Sequence, residues 1–136
     1  MNIDGIKNGI VIDHITPGKA MQLYHMLGID KLDCCVAVIQ NVVSGKMGKK
    51  DMIKIDASIS INLDVIGYVS PNATVNIIEK GELVRKEYIG LPHRLVNIIR
   101  CRNPRCITTT EQEIEHVFVL SDKGEYRCLY CETKSN

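Results

Sequence analysis

Four cysteines in the last third of the chain, within CRNPRC and CLYC, constrain its folding more than any other feature. Cys101 and Cys106 form one pair and Cys128 and Cys131 the other, in the spacing CxxxxC, 21 residues, CxxC. Two short loops that each present two thiolates complete a tetrahedral shell, and thiolate sulfur is the usual ligand of structural Zn²⁺. A catalytic zinc keeps one position open and commonly uses His or a carboxylate, whereas four cysteines fill the shell. One structural Zn²⁺ per chain is therefore expected. A unit of about 40 residues buries too little apolar surface to be stable unaided, so the metal supplies the missing folding energy.

Disulfides are the competing use of cysteine and need an oxidising compartment. The opening residues, MNIDGIKNGI, show no basic stretch, long apolar core or small-residue cleavage site, so a cytoplasmic location with reduced thiols is expected. Cys34 and Cys35 stand together in the apolar run DCCVAVI and read as buried, inert strand residues. No apolar stretch approaches the roughly 18 residues of a membrane helix, which argues against a membrane partner.

Zinc ribbons often bind nucleic acid, and charge tests that use here. Residues 95–136 carry six basic and six acidic side chains, and four thiolates around one Zn²⁺ add about two negative charges. Phosphate-backbone binding needs a cationic surface, and this part lacks one. Arg100, Arg105 and Arg127 flank cysteines and Arg102 lies inside the first loop, where offsetting the anionic cluster is their simplest role. Phe118, Tyr126 and Tyr130 are too few to make a stacking platform. No nucleic-acid partner is expected.

Along the rest of the chain, GIVIDHI (9–15) reads as a strand. TPGKAMQLYHML reads as a helix capped by Thr16, with Pro17 at its first position and Gly28 ending it. CCVAVIQNVV (34–43) is a continuous apolar run, expected to be a central strand buried on both faces. SGKMGKKD (44–51) reads as a basic loop and MIKID (52–56) as a short strand. Residues 57–68 are ambiguous: their β-branched residues favour strand, yet Ile59, Leu63 and Ile66 recur at helical spacing. ATVNIIE, the turn Lys80-Gly81 and ELVRKEYI form a hairpin. The expected fold is α+β, an N-terminal βαββαβ-like, ferredoxin-like sandwich followed by a small all-β, zinc-ribbon-like domain. Domains are expected at 1–91 and 95–136, with GLPHR (90–94) as a hinge and strands at 95–99 and 116–120 framing the cysteine loops.

Lys49, Lys50 and Lys54 cluster near one loop, and Lys86 stands on the last strand of the hairpin. Such lysines can serve as point-charge partners for a polyphosphate, or simply as a solvated surface. His14, after Asp13, fits a hydrogen-bonded strand end. There is no phosphate-binding glycine loop and no dinucleotide fingerprint. No nucleophile with its base and no paired carboxylates can be assembled, so no catalytic residues are assigned and a stand-alone nucleotide-sensing enzyme is not indicated. A zinc-ribbon adaptor in transcription or RNA metabolism is the alternative of a different class.

Taken in order, GIVIDHI, SGKMGKKDMIKID, SPNATVNIIE, LPHR and the cysteine module resemble the aspartate carbamoyltransferase regulatory chain over nearly the whole length. The resemblance implies a non-catalytic subunit of an enzyme of pyrimidine biosynthesis, with the chemistry on a separate catalytic chain. It implies that residues 1–91 bind nucleoside triphosphate effectors such as CTP and ATP and pair with a second regulatory chain as a homodimer. Residues 95–136 would dock the catalytic chain. By the same resemblance Asp13 reads the base or sugar edge, and His14 lies near ribose or phosphate. Lys50 and Lys54 contact phosphate and sugar, Lys86 a further phosphate, and Asn76 lies beside the ribose. Ile6, Val11 and Ile78 would line the base, with backbone groups of Ile3 to Ile6 reading its polar edge. The sequence departs from the pattern at Gly81, where a larger turn residue is expected, and at Arg105, where a small polar one is.

Overall fold

A computed structural model describes residues 5 to 135. The chain divides into two compact units, Met1–Leu91 and Pro92–Asn136. In the first, alternating apolar residues give the strands two distinct faces, and the order of elements is β1 (Gly9–Ile15), α1 (Ala20–Met26), β2 (Val36–Ser44), β3 (Gly48–Ile55), α2 (Leu63–Val69), β4 (Thr74–Glu79) and β5 (Glu82–Tyr88). A single 3-10 turn, Ile29–Lys31, follows α1. The sheet is antiparallel in the order β2-β3-β1-β4-β5. Its first four strands with α1 and α2 have the ferredoxin-like connectivity, and β5 extends the sheet by a hairpin. Lys80 and Gly81, at φ 52° and 78°, both take the left-handed conformation that a two-residue type I′ turn demands.

One sheet face carries Ile12, Ile53, Ile55 and Val75, all essentially inaccessible, under Leu23 and Ile66 from the two helices. Each such side chain contributes about 1.5–3 kcal/mol on burial. Of residues 57–68, those at 57–62 form an irregular lead-in and those from Leu63 on belong to α2, which starts where the Asn62 side chain accepts the Asp64 N–H. At Gly9 a Cβ would collide with the Ile55 carbonyl oxygen, so close pairing of β1 with β3 needs glycine there.

Several expectations are corrected. The helix begins at Ala20, with neither Thr16 as its cap nor Pro17 at its first position. The Gly18 and Ala20 N–H groups instead donate to Oδ2 of Asp51 on β3, at 2.9 and 3.3 Å. Thr16 turns to the Ser70 hydroxyl. The run 34–43 is not a central strand: β2 lies at the sheet edge and is only partly buried. Cys34 and Cys35 precede β2, and Cys35 is exposed rather than buried. Lys49 and Lys50 belong to β3, not to a loop, because the strand starts at Gly48.

The second unit is a three-stranded antiparallel sheet, β6 (Arg94–Val96), β7 (Val117–Leu120) and β8 (Tyr126–Cys128), in that order, with one short helix, α3 (Ile107–Thr110), after the first cysteine pair. The strands expected at 95–99 and 116–120 are shorter than the apolar runs suggest, and β8 and α3 are additions to the expected set. Leu95, Val117, Phe118 and Tyr126 are its buried apolar residues, and the Tyr126 hydroxyl donates to the Pro92 carbonyl at 2.6 Å. Among the described residues no helix is long and apolar enough to cross a membrane.

Candidate metal centre and effector face

In the second unit the Sγ atoms of Cys101, Cys106, Cys128 and Cys131 all lie within 4.8 Å of one another. Cys101 and Cys131 are 3.5 Å apart and Cys106 and Cys128 3.7 Å, each close contact joining one loop to the other. Four Zn–S bonds of about 2.3 Å in a tetrahedron give sulfur–sulfur edges of about 3.8 Å, so donor set and spacing fit a structural Zn²⁺. Cys101, Cys106 and Cys128 are buried, while Cys131 is partly exposed. Burial is the main influence pushing the Cys101 thiol up to about 12, with the neighbouring thiols adding to it, and burial likewise raises Cys128. For Cys131 burial acts upward too, but the Thr133 hydroxyl and amide, Asn103 and Cys101 outweigh it and hold the thiol at about 6. A bound divalent cation overrides these differences, since a coordinating thiol is deprotonated outright.

His116 is a residue that the cysteine spacing does not reveal. Its Nδ1 accepts the Cys101 N–H at 3.0 Å, and its own N–H donates to the Asn97 side-chain oxygen at 3.0 Å. Asn97, at φ 56°, returns its N–H to the His116 carbonyl at 2.7 Å. The imidazole therefore spends its Nδ1 lone pair on the backbone of the first knuckle. Beside it lies a cleft of about 620 Å³, lined among others by Asn97, Arg100, Gln112, Glu113 and His116.

In the first unit the sheet face away from the helices brings the expected effector residues together. Pairing places Lys54 opposite Val11, Val11 opposite Asn76 and Asn76 opposite Lys86, so these four form one row across β3, β1, β4 and β5. Strands lie about 4.8 Å apart, so the two lysines start about 14 Å from each other and bracket the row. Lys86 Nζ sits 5.5 Å from the centre of the Tyr88 ring, and Lys54 is almost wholly buried. Asn76 is buried, and its Oδ1 has no hydrogen-bond partner among the described residues. Ile6, Val11 and Ile78 pack in one buried cluster with Met52. Ile3, expected to add a backbone contact, lies outside the described residues.

A β-bulge sets the end of the row. Between Ile12 and Ile15 strand β1 uses one more residue than β3, and His14, at φ 57°, absorbs it. The bulge aims Asp13 at Lys50, whose Nζ lies 2.9 Å from Oδ1 and 3.2 Å from Oδ2. The His14 N–H donates to Asp13 Oδ1 at 2.6 Å, and its Nδ1 lies 3.2 Å from the Thr74 hydroxyl. Burial holds the His14 imidazole below its usual value; Asp13 opposes this, while Lys50, Lys46 and Lys86 add to it. Beneath the bulge, Asp51 is fully buried and its Oδ1 accepts the N–H of Asn41, in a second bulge on β2, at 3.0 Å. This carboxylate, adjacent to Lys50, ties the start of α1 to β2 and β3.

Fold and site together define a two-unit binding chain, one unit presenting a cationic face on a ferredoxin-like sheet and the other built around a four-cysteine metal centre. Residues 1–90 match the allosteric domain of the aspartate carbamoyltransferase regulatory chain, and residues 93–136 match the metal binding domain of the same family. The regulatory chain of Clostridium botulinum is 44% identical over 134 residues, covering 97% of this chain and 92% of that one. Those of Clostridium tetani, 45% identical with 97% and 94% covered, and Bifidobacterium longum, 41% identical with 99% of each covered, agree. The chain belongs to the family of aspartate carbamoyltransferase regulatory chains. The adaptor alternative gives way to that membership.

Proposed function

We propose that this chain is the non-catalytic regulatory subunit of an aspartate carbamoyltransferase. In this reading it binds nucleoside triphosphates, CTP and ATP, on the lysine-bracketed face of Met1–Leu91, and docks a catalytic chain through the metal unit. The observation that carries the nucleotide site is Asn76. A buried side-chain oxygen without a partner is uncommon in a folded protein, and here one that has none among the described residues lies in the same row as Lys54 and Lys86. A ribose hydroxyl would satisfy it while Lys54 and Lys86 meet the phosphates and Ile6, Val11 and Ile78 wall the base. His14 and the Asp13–Lys50 pair would close the other end.

Binding matters for regulation only if effector and substrate affinities are linked reciprocally. The test is calorimetric titration of CTP and ATP into the full chain, followed by aspartate saturation curves of the assembly with a catalytic chain. Nucleotide binding that leaves the saturation curve unmoved defeats the regulatory reading, and absence of binding defeats the site. A second regulatory chain is the further partner in this reading. Edge strand β5, with Leu83, Val84 and Tyr88 exposed, and edge strand β2 are the places where a sheet could continue into a second copy. Sedimentation of the isolated chain checks the dimer.

A further inference from the structure

Both cysteine pairs end in the same three-residue pattern, Cys106-Ile107-Thr108 in the first and Cys131-Glu132-Thr133 in the second. The Thr108 hydroxyl lies 3.1 Å from Cys106 Sγ, where either group can donate, and the protonated Cys131 Sγ donates to the Thr133 hydroxyl at 3.2 Å, a bond that loss of the thiol proton reverses. Different backbone geometries deliver these two contacts. Thr108 stands in the first turn of α3, with Cys106 at the N-cap position. Thr133 follows Glu132, which at φ 63° turns the chain back, and the turn is closed by the Glu132 N–H to the Cys128 carbonyl at 2.9 Å and the Cys128 N–H to the Thr133 carbonyl at 3.0 Å. A contact reached by two unrelated routes points to selection for the contact itself rather than for one local fold.

A metal-bound thiolate can only accept, so in the zinc-loaded chain each hydroxyl donates. Four thiolates around one divalent ion leave about two negative charges in a mostly buried site. An O–H dipole aimed at a sulfur draws off part of that charge and fixes the cysteine rotamer that faces the metal. We propose that Thr108 and Thr133 are positioning residues of the metal centre, donating O–H···S bonds to Cys106 and Cys131 that slow the loss of zinc. Their shares are unequal. Cys106 is sealed at 3% exposure, whereas Cys131 is the one partly exposed ligand and the sulfur a competing chelator reaches first. Thr133 therefore guards the exit route of the ion.

The test uses the full-length, zinc-loaded chain and a chromogenic chelator in fixed excess. Thr133→Val should release zinc about tenfold faster, the low end of what outer-shell partners contribute. Thr133→Ser, which keeps the hydroxyl, should return to the parent rate, and Thr108→Val should have a smaller effect. In the cobalt-substituted chain, Thr133→Val should move the sulfur-to-cobalt charge-transfer band to longer wavelength and Thr133→Ser should move it back. Lost packing alone does not shift that band. A Thr133→Val chain with the parent release rate, an unshifted band beside rapid release, or a Ser variant that fails to restore either property overturns the proposal.

Discussion

The two units are held together by different means. Of the twelve largest fully buried side chains among the described residues, only Leu95 and Phe118 lie in Pro92–Asn136, and the other ten, among them Ile12, Ile53 and Ile66, belong to Met1–Leu91. The first unit folds by closing an apolar layer between sheet and helices. The second replaces most of that layer with a cross-link through four sulfurs. In the proposed reading, one chain places sensing on a surface supported by a conventional core and docking on a module built around an ion. Changes to one means of support should then leave the other intact.

Metal removal is the strongest way to break this contrast. Structural zinc contributes on the order of 10–16 kcal/mol in small domains, more than a 45-residue core supplies. Chelation, or Cys128→Ser, should unfold Pro92–Asn136 while amide resonances of Met1–Leu91 keep their positions. A second unit that stayed ordered would remove the distinction. Next in size is Asp51→Ala, which strips the acceptor from the Gly18, Ala20 and Asn41 N–H groups. It should destabilise the first unit by roughly 3 kcal/mol with zinc retention unchanged, measured by urea unfolding beside metal content.

Smaller again, Lys54→Ala and Lys86→Ala should each weaken triphosphate binding about tenfold, near 1.4 kcal/mol, with a reduced salt dependence in calorimetry. Equal loss for a nucleoside without phosphates would mean that the lysines support the face rather than the ligand. The smallest effect concerns His14. Its folded-state value lies below 6.5, so the unfolded chain takes up the proton first as pH falls. Stability is thus full above pH 6.5 and is lost as pH drops through the folded-state value, and melting of the parent should fall relative to His14→Gln over that window. A bound triphosphate should raise the imidazole titration midpoint, which NMR of the loaded and free chain would read directly.

How much of this was legible beforehand differs between the units. Four ligands at knuckle spacing are a chemical statement, and Cys101, Cys106, Cys128 and Cys131 converge at metal-binding distance. The strand segments were legible too, because Ile10, Ile12, Ile53 and Ile55 alternate with Val11 and Lys54 as a two-faced sheet requires. What escaped was everything decided by a distant residue. The start of α1 looked like a Thr16–Pro17 signal, but an acceptor more than thirty residues away, Asp51, captures its N–H groups. The run from Cys34 looked like a central strand because apolar continuity says nothing of sheet position, and β2 is an edge with Cys35 exposed before it. His116 gave no signal, since a lone histidine before a strand has no recognisable spacing to the cysteines it supports.

The bulge at His14 carries a wider consequence. A β-carbon in the left-handed region costs roughly 1–2 kcal/mol, and asparagine or glycine bears that conformation more easily. A search for thermostable variants would therefore be drawn to position 14, and would find gains there that disconnect the imidazole from Thr74 and from the Asp13–Lys50 pair. In the proposed reading the histidine marks a point where ruggedness and responsiveness are exchanged, and breeding this subunit for endurance alone would make it hardier and less attentive.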